Sequence, residues 1–218
     1  MTHWYDALNE SERAEAERLD SPPAIQAFLH SIPYSDEPIY RCPLQVWRER
    51  KGHCFDGAVF AAACLRRLGH PPLVLDMIPN ARDDDHVLAV FRVEAYWGAV
   101  AKSNFVGLRY REPVYRSLRE LIMSYFEPFF NVEREKTLRG YTRPLNLCAY
   151  DRLEWEVRPE PMDAIAEHLD RLARVPVLTP AQEARLVLVD ERYYQAGLLG
   201  ANPKGLWRPG TGEGGSHG

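Results

Sequence analysis

The sequence predicts an α+β fold in which a cysteine-bearing helix packs on an antiparallel sheet, with extra helices toward both termini. Three features predict it. From Cys54 to Leu65 apolar residues recur at spacings of three and four, the period of a helix. Three short runs rich in β-branched and aromatic residues follow, at 73–78, 86–93 and 97–101, and such runs form strands. Amphipathic segments with helix-capping signals then resume at Ser117 and extend to about Ala196.

Taken in order, Asn9 and Glu12 form a capping box that opens a first helix, and Ser21-Pro22 opens a second with Ile25, Phe28 and Leu29 on one face. Both are expected to decorate the core. Pro33, Pro38 and Pro43 make 31–43 a loop. The Cys54 helix runs about four turns and stops at Leu68-Gly69-His70-Pro71, with Gly69 as left-handed cap. A polar turn, 80–85, joins the first two strands, and Glu94-Ala95 the next two. Ser117 and Glu120 cap a helix whose Leu118, Leu121, Ile122, Tyr125 and Phe126 share a face, ending before Pro128. A strand is expected at 154–157, a helix over 162–172, and a last helix from Thr179 to about Ala196. Residues 1–197 read as one domain and 198–218 as a flexible Gly-rich tail.

The chain has 218 residues, 45% hydrophobic and 27% charged, with a net charge of −4. That balance suits a globular protein and argues against nucleic acid as the partner. No run reaches the roughly 18 to 20 apolar residues of a membrane span. The N-terminus is acidic and has no secretory signal, so the cytoplasm is the expected location. Cys42, Cys54, Cys64 and Cys148 form no C-x-x-C pair, and no disulfide framework, structural zinc or cofactor is expected. Asp83, Asp84 and Asp85 lack a metal-ligand spacing and read as a solvated turn.

A cysteine in the first turn of a buried helix sits where orphan N–H groups and the helix dipole favour a thiolate, the form that attacks carbonyls. Cys54 is therefore the candidate nucleophile, and its own N–H a candidate oxyanion donor; Gln45 is a side-chain candidate for the same task. Thirty-two residues further on, His86 opens a strand. A helix, a return strand and a turn fit between, so His86 is the candidate base. Cys64, mid-helix in an apolar run, reads as core.

Gly52-His53-Cys54-Phe55-Asp56-Gly57-Ala58, the Ala-rich helix after it and Leu68-Gly69-His70-Pro71-Pro72 resemble the cysteine helix of the transglutaminase-like (papain-related cysteine) superfamily. Asp85-His86-Val87-Leu88-Ala89-Val90-Phe91 and Tyr96-Trp97-Gly98-Ala99-Val100 resemble its histidine strand and the strand after it. The resemblance covers roughly residues 45 to 105. It implies thiol-dependent acyl transfer, or amide or peptide hydrolysis, through a Cys54 thioester, on a peptide, amide or small-molecule acyl substrate. It also implies a third residue after Trp97, usually Asp, that orients the histidine. This chain has Ala101-Lys102-Ser103-Asn104 there. Asn104 is the expected substitute and Ser103 the second choice. The missing carboxylate leaves open the alternative of a catalytically degenerate module that binds a protein or peptide.

Overall fold

The computed structural model describes residues 2–208. Its helices are α1 (Glu10–Ala16), α2 (Pro22–Ser31), α3 (Pro43–Glu49), α4 (Cys54–Arg67), α5 (Leu118–Met123), α6 (Met162–Arg171), α7 (Pro180–Glu183) and α8 (Glu191–Gly197). Its strands are β1 (Leu73–Pro79), β2 (His86–Val93), β3 (Tyr96–Val100), β4 (Arg111–Tyr115), β5 (Leu138–Thr142), β6 (Leu145–Asn146) and β7 (Arg174–Pro176). Among the described residues the strands form one antiparallel sheet, ordered β4-β3-β2-β1-β5-β7, with β6 beside β1. The fold is thus α+β, and the cysteine helix packs on β2 at the middle of the sheet.

Strand alternation sorts the core into two layers. Val74, Val87, Ala89 and Phe91 face α4, together with Ile25 and Leu29 of α2, Val46 and Trp47 of α3, and Trp4. Leu75, Met77, Leu88 and Val90 face the other way, onto Leu121, Ile122 and Tyr125. Residues 54–65 of α4 are all buried, because Ala and Gly let the helix approach closely. A Cβ on Gly57 would stand 2.2 Å from the Cβ of Lys102, so no larger residue fits without displacing one element. Gly69 has φ +89°, the left-handed cap that ends the helix.

Several expectations change. The N-terminal helices build the core rather than decorate it: Ile25 and Leu29 are wholly buried against α4. Residues 43–49 are helix, since Pro43 is tolerated in a first turn and Gln45 closes a box on the Cys42 N–H. Residues 154–157 are turn, not strand, ending a 3₁₀ segment where Glu154 takes φ 55°. The last helix divides into α7 and α8 around an irregular stretch, as Asp190 caps anew on the Tyr193 N–H. Part of the expected tail is docked: Asn202 bonds to Asn104 and Tyr34. Residues 209–218 lie outside the described residues. No described helix is long and apolar enough to cross a membrane.

Candidate functional site

Cys54 is the first residue of α4, with His53 as N-cap residue. The loop before it is fixed by a buried cluster. Asp56 accepts from the backbone N–H of Arg41 at 2.8 Å and of His53 at 3.2 Å. The guanidinium of Arg41, fully buried, donates to Glu49 at 2.7 Å, to Asp56 at 3.4 Å and to Glu37. Asp56 therefore ties the 35–42 loop to the start of α4, a larger role than favouring a helix N-terminus.

Cys54, 8% exposed, lies on the wall of a cleft of about 810 Å³. The floor comes from Asp76 of β1, from Asp84, Asp85 and Val87 around the start of β2, and from Asp170 of α6. Tyr34, Tyr40 and His53 line one side, and residues 204–208 another. Among the described residues eight carboxylates line the cleft, Glu37, Glu160 and Asp163 among them, against two permanent cations, Lys204 and Arg208.

This surround controls the thiol. Burial pushes Cys54 well up, and the charges of Asp85, Asp84 and then Asp76 push it further, while the Val87 N–H pulls it down. A helix N-terminus is worth about 0.3 to 2 kcal/mol toward an anion. Burial together with several carboxylates outweighs that, and Cys54 is held as the neutral thiol. Burial likewise raises Tyr34, with Cys54 and Asp84 adding to it.

The expected partners of Cys54 are elsewhere. His86 pairs with Met77 across the β1–β2 ladder, whereas Asp76 pairs with Val87. Because Asp76 and Val87 line the cleft, alternation turns His86 into the opposite layer. There its Nε2 donates to the Leu108 carbonyl at 2.8 Å. Burial lowers its pKa to about 4, the Leu108 carbonyl pulls it partly back and Arg111 adds a smaller downward push, and the ring is neutral. His86 is thus a core histidine rather than the base of Cys54: the residue that reaches the cleft from this corner is Asp85.

Asn104 does not orient His86 either. Its Oδ1 accepts from the Asn202 N–H at 2.7 Å and its Nδ2 donates to the Asn202 carbonyl at 2.8 Å. Ser103 Oγ accepts from the Phe105 N–H at 3.0 Å, closing a local turn. Gln45 Oε1 accepts from the Cys42 N–H at 3.1 Å, so it caps α3 and is not an oxyanion donor. Of the five expected site residues, Cys54 alone is on the cleft.

Asp76 and Asp170 were missed, and Asp85, read as part of a solvated turn, lines the cleft; Asp76 carried a signal. It interrupts an apolar strand at a position whose neighbours Val74 and Val87 face the core. A carboxylate at an inward strand position needs a reason. Tyr34 and Tyr40, on a loop, carried none.

No family model matches the sequence, and no curated protein matches it. Among solved structures, the chain is similar to LapG of Legionella pneumophila, with 10% identity and a TM-score of 0.40 over 76% of this chain and 93% of that one. It is also similar to EGTA-treated LapG, with 10% identity and a TM-score of 0.39 over 72% and 93%. A likeness of that degree fixes neither family nor activity, so function rests on the side chains of the cleft.

Proposed function

We propose that the chain is a recognition module built around a cysteine helix, whose cleft takes a positively charged segment of a protein or peptide. The observation that carries this reading is the excess of carboxylates around a thiol that His86 does not reach. Thiol catalysis needs a thiolate and a base in contact with it. Here the carboxylates favour a cation instead, both in the bound state and during its approach. Tyr34, Tyr40, Phe55 and Trp207 supply flat faces along the same cleft, suited to the stem of a Lys or the plane of an Arg.

The test is binding of two labelled peptides of equal length, one Lys/Arg-rich and one Asp/Glu-rich, followed by fluorescence anisotropy. The basic peptide binds, and its affinity falls with added salt. Equal affinity for both, or no dependence on salt, overturns the reading.

A second reading is thiol-dependent acyl transfer or hydrolysis. It is favoured by the place of Cys54 at the start of α4 on the cleft wall, with the His53 ring lining the same cleft. Cys54→Ser separates the two: a recognition module keeps its peptide affinity in this variant, and an acyl-transfer enzyme loses turnover of an activated ester.

A further inference from the structure

One side of the cleft is made by residues 204–208, an almost irregular stretch with a single 3₁₀ turn at Pro203–Gly205. Such a segment keeps its place only where specific contacts hold it. Asn104 clasps Asn202 through two backbone bonds, at 2.7 and 2.8 Å, and Asn202 Nδ2 donates to the Tyr34 carbonyl at 3.1 Å. Gly205 then meets the Tyr34 ring. A Cβ there would stand 2.8 Å from the ring Cδ1 and 3.3 Å from the Asn104 amide nitrogen, an approach that suits glycine. Tyr34 itself lines the cleft, so the segment is seated on the wall of the site. Its composition is a separate observation. Residues 202–208 read Asn-Pro-Lys-Gly-Leu-Trp-Arg, with two cations and no carboxylate. Lys204 and Arg208 face a lining rich in carboxylates, and Leu206 and Trp207 between them are half-buried. Neither belongs to a core layer, so the segment can lift away without unfolding the sheet.

We infer that residues 202–208 are an internal competitor for the cleft, holding the place of a peptide ligand until one of the same chemistry displaces them. That chemistry is a pair of basic residues flanking a bulky apolar or aromatic one. The inference rests on the reading of the cleft as a groove for a basic segment, and adds to it the class of sequence recognised and a means of regulation. A tethered ligand competes at an effective concentration that reaches about millimolar, so weak contacts suffice to keep the cleft occupied. An outside peptide then binds with its intrinsic affinity reduced by the fraction of molecules whose cleft is open. Freeing the segment tightens binding without adding any contact to the peptide. The glycine at the closest approach and the Asn104 clasp are the two points at which it can be freed.

The test uses the full chain and two variants that free the segment from opposite sides of one contact. Gly205→Val drives a side chain into the Tyr34 ring, and Asn104→Ala removes the clasp. Anisotropy of the labelled Lys/Arg-rich peptide is measured on the parent and on both. Each variant binds it about tenfold more tightly than the parent, as removal of a competitor requires. Either variant carries the test if the other does not fold. The unlabelled peptide Asn-Pro-Lys-Gly-Leu-Trp-Arg, added to the Gly205→Val chain, displaces the labelled one. The same peptide with Ala in place of Lys and Arg displaces it several-fold less well. Equal affinity of the parent and both variants for the basic peptide overturns the inference and leaves the groove reading standing. Failure of the seven-residue peptide to compete also overturns it. A basic peptide that binds neither the parent nor the variants removes the groove reading, and the internal competitor with it.

Discussion

His86 stands opposite Met77 across the β1–β2 ladder, on the face of the sheet that α4 does not cover. One residue of register separates it from the layer of Cys54. Strand alternation makes that single step decisive, since it moves a side chain through the sheet. Two consequences follow for the thiol. With iodoacetamide at neutral pH, Cys54 reacts more slowly than the exposed Cys148, and its titration midpoint lies above the free-thiol value of about 8.5. His86→Gln leaves the Cys54 rate unchanged. Mass spectrometry of the labelled peptides measures both. A Cys54 that outpaces Cys148, or slows in the His86 variant, would restore the thiol–imidazole pair.

His86 should instead govern stability in acid. Its folded-state pKa is lowered by burial to about 4, from an ordinary value near 6.5. The unfolded chain therefore takes up the proton first. The contribution of the neutral ring is fully present above about pH 6.5 and is lost as pH falls from there through about 4. Across that window the loss approaches about 3 kcal/mol at most. In urea unfolding at pH 7 and pH 4.5, His86→Gln, which can still donate to the Leu108 carbonyl, shows a smaller drop between the two pH values than the parent. An equal drop in both would place the acid sensitivity elsewhere.

What the sequence made legible follows the ranges over which its signals act. Apolar spacing, caps and Gly69 are local, and α4, β1, β2 and β3 stand where those signals place them. Strands β5 and β7 were not legible: they are short, and each is defined by its pairing partner, Tyr141 with Met77 and Val175 with Tyr141. Cys54 on a cleft was legible because helix-start geometry is local. The facing of His86 was not, since the turn at 80–85 can deliver either Asp85 or His86 to the cleft, and only the β1 register decides. Asp170 reaches the site from a helix 85 residues beyond Asp85, a distance that no motif spans.

Gly57→Ala tests how tightly α4 meets the strand end at Lys102. In a free helix the change would stabilise by about 1 kcal/mol. Here the new methyl falls 2.2 Å from the Lys102 Cβ, with the Lys102 Cα at 3.4 Å. The neighbour is the rigid root of a side chain, so it does not swing away. Overpacking of this kind costs about 1 to 3 kcal/mol, and the net effect is destabilising. A urea midpoint at or above that of the parent would show that α4 has room to shift.

Leu121→Ala tests the opposite layer. Leu121 is wholly buried with Ile122 and Tyr125 against Leu75, Met77, Leu88 and Val90. Losing its side chain leaves a cavity between α5 and the sheet and costs about 2 to 5 kcal/mol. Guanidine unfolding measures it, and a loss below about 0.5 kcal/mol, the range of surface changes, would place the α5 face in solvent.

Asn104 and Asn202 hold one another by two reciprocal bonds, each amide atom of Asn104 meeting the backbone of Asn202. Beyond that clasp, Asn202 Nδ2 donates to the Tyr34 carbonyl at 3.1 Å, and Gly205 lies on the Tyr34 ring, where a Cβ would stand 2.8 Å from Cδ1. Residues 204–208 then line the cleft beside Cys54. The clasp therefore sets how open the cleft is. Asn104→Ala removes both reciprocal bonds and leaves the Asn202 N–H to find water, a loss of about 1 to 3 kcal/mol confined to this strap. Because the strap carries few of the core contacts, unfolding stays cooperative near the parent midpoint. Alkylation of Cys54, slow behind the strap, rises several-fold, while that of Cys148 does not change. Truncation after Ala201 has the same effect on Cys54, since it removes the strap outright. If both variants label Cys54 at the parent rate, the thiol is reached by a route that residues 204–208 do not cover.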